Sequence, residues 1–251
     1  NRLCFLYSFD MSRFNYFIKG NNKIAYRYFK RSKKNLVFIH GLMSDMNGKK
    51  SIFFNNYCRK MNVSFLCFDF RGHGKSSGDF IEFGIKDWYE DLKSLISHLN
   101  LKNITLIGSS MGGWVAMLYA LNFAKDVDRL IGIAAAPDFT KDLLWKELSD
   151  KNKDLIRSNK VIKKKISNDF TYQYSPKLFQ NSKKYFIKDI KKKFSKEAIL
   201  FHGSKDITVP KSYNDKFFLN SNFSKLINVT IKNADHSMSD DFSLNTISKF
   251  I

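Results

Sequence analysis

Short, almost uninterrupted apolar runs recur along this 251-residue chain, and they constrain its fold more than any other feature. LVFIH (36–40) and AILFH (198–202) carry no polar residue before the last position. A strand open to water on one face alternates apolar and polar residues, whereas a run apolar throughout suits a strand buried on both faces. Apolar runs of this kind, with weaker companions, predict strands at 23–29, 35–40, 64–70, 103–107, 129–135, 197–201 and 226–231. Helical periodicity lies between them, at about 49–61, 81–99, 111–123, 212–219 and 240–250. Strand followed by helix, repeated, implies right-handed crossovers. The expected class is α/β, a mostly parallel central sheet flanked by helices.

One segment breaks that rhythm. Between Asp138 and Ser195 no strong strand pattern appears, and apolar residues such as Leu143, Leu144, Trp145, Leu148, Phe179 and Ile190 fall at roughly helical spacing. The reading is a small helical lid, 138–195, inserted into a core of 21–137 and 196–251. Long insertions in compact domains usually carry function. The lid holds 16 basic and 7 acidic residues, a net charge of +9. Its lysine runs, Lys163–Lys165 and Lys191–Lys193, are expected to face solvent. Phe139 and Trp145 are expected to line a substrate pocket, since ligand pockets are mainly apolar. Residues 1–20 read as a leader of uncertain order. The stretch 1–17 weakly resembles a transit peptide, and Met11 is an alternative start.

The whole chain carries a net charge of +20, which suggests a nucleic-acid or anionic-membrane partner. Its make-up argues otherwise. There are 35 Lys and 8 Arg, together with 22 Asn, 25 Phe and 9 Ala. Lys, Asn and Phe have A/T-rich codons, and readers of nucleic acid favour Arg for its two-pronged contacts. Genomic A/T bias therefore accounts for the charge, and no nucleic-acid partner is expected. Cys4, Cys58 and Cys67 are sparse, odd in number and without a CxxC pair, so neither a disulfide framework nor a cysteine-rich zinc site is expected. That usage fits a reducing compartment, the cytoplasm, with the mitochondrial matrix as the alternative if the amino-terminal stretch is a transit peptide. No apolar run reaches the ~18 residues of a membrane-spanning helix.

Residues 103–113 read NITLIGSSMGG: an apolar strand, a glycine-rich turn, then a helix with small residues. Gly-x-Ser-x-Gly in that context is the pattern of a nucleophile elbow. Centring on Ser110 places glycines at 108 and 112, whereas centring on Ser109 would require glycine at Ile107. A serine hydroxyl needs a base, and the base needs an orienting acid. Of the five histidines, only His202 and His236 follow Ser110. His236, on a loop after the last strand, is the expected base. Asp206, after the strand near 197–201, is the expected acid, with Asp138 and Asp235 as alternatives. Two backbone N–H groups should hold the oxyanion: that of Met111, and that of Leu42 or, as the alternative, Met43.

HGLMSD (40–45), DFRGHGKSSG (69–78), GSSMGG (108–113), HGSKDITVP (202–210) and ADHSMSD (234–240) together resemble the α/β-hydrolase superfamily, in its order and spacing. GSSMGGW (108–114) and IGIAAAPDFTKDLLW (131–145) look more specifically like a bacterial branch of it. That branch is similar to the mitochondrial abhydrolase described as an acyl-protein (palmitoyl) thioesterase and mycophenolic acid acyl-glucuronide esterase. The resemblance implies the α/β-hydrolase fold and hydrolysis of acyl esters or thioesters, on a small-molecule or acyl-protein substrate, without metal or organic cofactor. It places the nucleophile at Ser110, the acid at Asp206, the base at His236 and the oxyanion donors near Leu42 and Met111. It makes DFRGHGKSSG a structural turn. A Ser nucleophile argues against the dehalogenase and epoxide-hydrolase branches. Two other readings stand beside it: an acyltransferase sharing the acyl-enzyme, and a non-catalytic basic binding protein on the same fold.

Overall fold

The computed structural model describes residues 13–165, 171–219 and 222–251. Its strands are β1 (Asn15–Lys19), β2 (Asn22–Phe29), β3 (Asn35–Ile39), β4 (Ser64–Phe68), β5 (Ile104–Ser109), β6 (Val127–Ile133), β7 (Ile162–Lys165), β8 (Thr171–Tyr174), β9 (Phe194–Gly203) and β10 (Phe223–Ile231). All but β7 and β8 form one eight-stranded sheet in the order β1-β2-β4-β3-β5-β6-β9-β10. The first two pairings are antiparallel and the other five parallel.

The apolar runs are buried on both faces, as the sequence predicts. In β3 every residue is buried. Leu36 and Phe38 join a core layer with Phe54 and Cys58 of α1 (Lys49–Lys60) and with Leu244 and Ile247 of α8 (Asp241–Ser248). Val37 and Ile39 join the opposite layer, with Trp88 and Leu92 of α2 (Ile85–His98) and Trp114 and Leu118 of α3 (Met111–Asn122). Trp88 and Trp114 are wholly buried, and truncating such a side chain to Ala costs about 3–5 kcal/mol. Helix α3 is buried from Met111 to Leu121 because sheet, α2 and the inserted segment enclose it.

Two features depart from the sequence reading. The stretch 1–20, read as leader, contains β1, which pairs with β2 through a turn at Gly20 (φ +58) and Asn21. Phe17 turns inward to stack on His98 at 4.7 Å, while Tyr16 and Ile18 remain exposed. A five-residue edge strand has only two inward positions, too few for a periodicity signal. Residues 1–12, which include the rest of the transit-like stretch and Met11, lie outside the described residues.

The segment read as a small helical lid holds helices and a hairpin. A π-helical turn (Thr140–Leu144) leads into α4 (Trp145–Glu147) and α5 (Asp150–Arg157). The antiparallel hairpin β7–β8 follows, then α6 (Pro176–Gln180) and two 3-10 turns. Trp114 Nε1–H donates to the Tyr185 carbonyl at 2.9 Å, and Phe186 stacks on its indole at 6.1 Å. Asp138 accepts the N–H groups of Ile187 (2.7 Å) and Lys188 (3.3 Å), so the entry of the segment is tied to its exit.

Candidate active site

The elbow is built by backbone contacts. Ser110 lies between β5 and α3, capping the helix at φ 52 and ψ −119, a conformation costly for a non-glycine residue. Its N–H donates to the Ile133 carbonyl (2.9 Å), and its own carbonyl accepts from Gly113 (2.9 Å) and Ala136 (3.1 Å). A Cβ on Gly108 would lie 2.4 Å from the Gly112 carbonyl oxygen. One on Gly112 would lie 2.4 Å from the carbonyl oxygens of both Ile39 and His40. The two glycines therefore let β5, α3 and the end of β3 approach each other. The conflict they avoid is with main chain, not with the serine side chain.

His236 sits on the loop between β10 and α8. Its Nε2 is 3.0 Å from Ser110 Oγ, and its Nδ1 is 2.8 Å from Asp206 Oδ2. With the proton on Nδ1 donated to Asp206, Nε2 is free to accept the serine proton. Asp206 lies on the turn after β9, where Oδ1 accepts from the N–H groups of Thr208 (2.9 Å) and Val209 (2.8 Å). Burial alone would raise the Asp206 carboxyl, but the His236 hydrogen bond and charge, with the Val209 N–H, hold it below the usual carboxylate range. The turn bearing Asp206 and the loop bearing His236 are also cross-linked. Ser204 N–H donates to Ile231 O and Lys205 N–H to Ala234 O, both at 2.9 Å. A Cβ on Gly203 would lie 2.4 Å from the Ala234 oxygen.

The structure places the alternatives elsewhere. Asp138 is fully buried and engaged with Ile187 and Lys188, and Asp235 closes its own loop by accepting from Met238 N–H at 3.0 Å. His202 is buried, 2.9 Å from Asn214 Nδ2 and 3.7 Å from Asp206 Oδ2; burial lowers its pKa, with Asp206 opposing. The Met43 N–H is already donated to His73 Nε2 at 3.2 Å. Leu42 and Met111 both line the cavity that contains Ser110 and His236. Burial, with His40 adding to it, pushes the His73 imidazole down to about 3. It stays neutral, an acceptor that shapes the 41–46 loop. In the turn 69–78, Asp69 accepts from Met46 N–H (2.6 Å) and Lys75 N–H (2.7 Å), which anchors the same loop.

The cavity holds about 660 Å³. Phe139, Leu143, Leu144, Tyr172 and Tyr174 form one wall, all from the inserted segment. Trp145, expected there, is not among the lining residues; it packs on Phe179 at 5.4 Å and under the Arg157 guanidinium at 5.6 Å. The helix turns its neighbours Leu143 and Leu144 inward and the indole aside. Lys163, Lys164 and Lys165 are exposed, as are Lys191, Lys192 and Lys193, but Lys164 also reaches the cavity rim, where it pairs with Glu147 at 3.0 Å. Sequence reasoning missed Tyr172, Tyr174, Glu147 and Lys50 at this cavity; the alternation in TYQY (171–174) was the one available signal. Among the described residues no group of three or more His, Cys, Asp or Glu could hold a metal ion, and no helix is long and apolar enough to cross a membrane.

A family model described as alpha/beta hydrolase fold matches residues 34–186. The mitochondrial palmitoyl-protein thioesterase ABHD10 of Rattus norvegicus is 35% identical over 115 residues, 46% of this chain and 39% of that protein. The AB hydrolase superfamily protein YisY of Bacillus subtilis is 37% identical over 108 residues, 42% of this chain and 40% of that protein. The chain thus spans about 40% of the length of these curated relatives. Among solved structures, alpha/beta hydrolase domain-containing protein 10 from mouse superposes with a TM-score of 0.85 at 21% identity, covering 95% of this chain and 96% of that one. Est1E from Butyrivibrio proteoclasticus, with ferulic acid bound, gives a TM-score of 0.78 at 19% identity, covering 94% and 95%.

Proposed function

The chain belongs to the α/β-hydrolase family, and we propose that it is a serine hydrolase of carboxylic esters or thioesters. The observation that carries this reading is the relay from Ser110 Oγ through His236 to Asp206, with contacts of 3.0 and 2.8 Å. Ser110 Oγ attacks the acyl carbonyl carbon while His236 Nε2 takes its proton. Asp206 holds the imidazole in the needed tautomer and stabilises the imidazolium. The carbonyl oxygen becomes an oxyanion facing the backbone N–H groups of Leu42 and Met111, each worth about 3–4 kcal/mol in such a role. His236 then protonates the departing alkoxide or thiolate. Water, deprotonated by His236 in turn, attacks the acyl-enzyme and frees Ser110.

The wall of Phe139, Leu143, Leu144, Tyr172 and Tyr174 suits an apolar acyl chain. The thioesterase relative supports an acyl-protein substrate, and a small-molecule ester is the other member of the class. The mitochondrial name of that relative supports a mitochondrial location over a cytoplasmic one. The test is labelling with a fluorophosphonate probe, followed by an acyl-chain series of esters and thioesters. Wild type and Ser109→Ala should label, and Ser110→Ala should not, with turnover reduced about 10⁴-fold or more. Labelling that persists in Ser110→Ala refutes the assignment.

A further inference from the structure

Lys50 is the second residue of α1, a place where a cation opposes the helix dipole. No acidic residue occupies that first turn. Local helix energetics therefore do not account for it. Its long-range contacts do. Nζ donates to the Ser237 carbonyl at 2.6 Å and to Ser239 Oγ at 3.0 Å. Both acceptors lie within three residues of His236, and Lys50, His236, Ser237 and Ser239 all line the same cavity.

The loop they hold is one that needs holding. Met238 adopts φ 47, and beyond the main-chain tie from Lys205 N–H to Ala234 O the loop's bonds are short-range, from Met238 N–H to Asp235 and from Ser237 Oγ to Ser239 Oγ. We propose that Lys50 is a positioning residue, whose ammonium clamps the 237–239 backbone and so fixes His236 against Ser110. This rests on the reading of Ser110 and His236 as nucleophile and base. A catalytic group misplaced by about 1 Å can cost as much as 10²-fold in rate.

The titration of Lys50 offers a signature that a merely structural role lacks. Burial pushes its ammonium down to about 8, with Asp235 opposing. The other ionisable groups near this wall are Asp45 and His236 on the cavity lining, and Lys49, paired with Asp241 at 3.3 Å. A clamp that depends on the charged form weakens as pH rises through that value. Arginine in its place keeps the donors and stays charged.

The experiment measures p-nitrophenyl butyrate hydrolysis by wild type, Lys50→Met and Lys50→Arg across pH, with thermal midpoints and probe labelling of Ser110→Ala alongside. Lys50→Met should lose roughly 10- to 100-fold in kcat at pH 7 while KM stays within about threefold. Lys50→Arg should recover most of that loss and retain activity to about pH 9.5, where wild type has declined. Unchanged kcat in Lys50→Met, a change confined to KM, or coincident alkaline limbs in wild type and Lys50→Arg would each overturn the inference. If Lys50→Met does not fold, the comparison of wild type with Lys50→Arg decides alone. Labelling that persists in Ser110→Ala identifies failure of the underlying active-site reading instead.

Discussion

Replacing Gly112 with alanine tests how Ser110 is presented. The new Cβ would meet the carbonyl oxygens of Ile39 and His40 at 2.4 Å and the Ile39 carbonyl carbon at 2.8 Å. Ordinary contact begins near 3.4 Å, so the shortfall against two oxygens is about 1 Å. Neither oxygen belongs to a flexible side chain. Relief requires α3 to move off the sheet, or the end of β3 to shift, and α3 is buried along its length. Overpacking of this kind costs typically 1–3 kcal/mol, and two backbone contacts place Gly112→Ala at about 3 kcal/mol. For a chain of this size that is a fall of roughly 6–12 °C in Tm. Gly48→Ala is the control, since its Cβ would find nothing closer than 3.5 Å. Urea unfolding followed by tryptophan fluorescence reads both. A Gly112→Ala variant within about 0.5 kcal/mol of wild type would refute the claim that backbone approach, rather than serine freedom, demands this glycine.

Asp206→Asn should lower kcat by about 10⁴-fold with the fold retained, because an amide lets His236 settle in the wrong tautomer; a kcat within tenfold of wild type would move the acid elsewhere. Asp138 supplies a pH test of stability. Burial raises its carboxyl to about 6, against the Ile187 and Lys188 N–H bonds, from an ordinary value of 3.8. The folded state thus holds this proton more tightly, so the contribution is fully present below pH 3.8 and is lost as pH rises through about 6. Asp138→Asn removes that loss. Unfolding free energies at pH 4 and pH 7 should show the variant gaining on wild type by about 2–3 kcal/mol with rising pH, and a pH-independent difference would contradict the assignment.

Much of the sheet was legible because a strand covered on both faces needs apolar residues at every position, a pattern few other structures require. The elbow was legible for a similar reason: glycines at 108 and 112 answer a steric demand that leaves no alternative residue. The inserted segment was not. Its hairpin is short, and three of the four β7 residues are exposed lysines, so burial writes almost nothing into IKKK. Trp145 shows the limit of arguing from residue type. An indole suits an acyl pocket, but the pocket goes to whichever neighbours the helix turns inward, and here those are Leu143 and Leu144. Lys50 was invisible because its partners lie 187 and 189 residues away.

The cross-links between the turn bearing Asp206 and the loop bearing His236 have a consequence for how firmly each contact of the site is held. Main-chain bonds from Ser204 and Lys205 to Ile231 and Ala234 join the segments that carry Asp206 and His236. Ser110 is tied to them less directly, through Ile133 at the end of β6 and Ala136 just beyond it, while Ala134 N–H donates to the Phe201 carbonyl of β9. The 3.0 Å contact between His236 and Ser110 is thus made by side chains alone, whereas the segments bearing Asp206 and His236 also share main-chain bonds. On the proposed mechanism that contact opens and recloses in each turnover, as the imidazole turns from serine to leaving group and then to water. The less firmly tied contact would then be the one across which the proton moves.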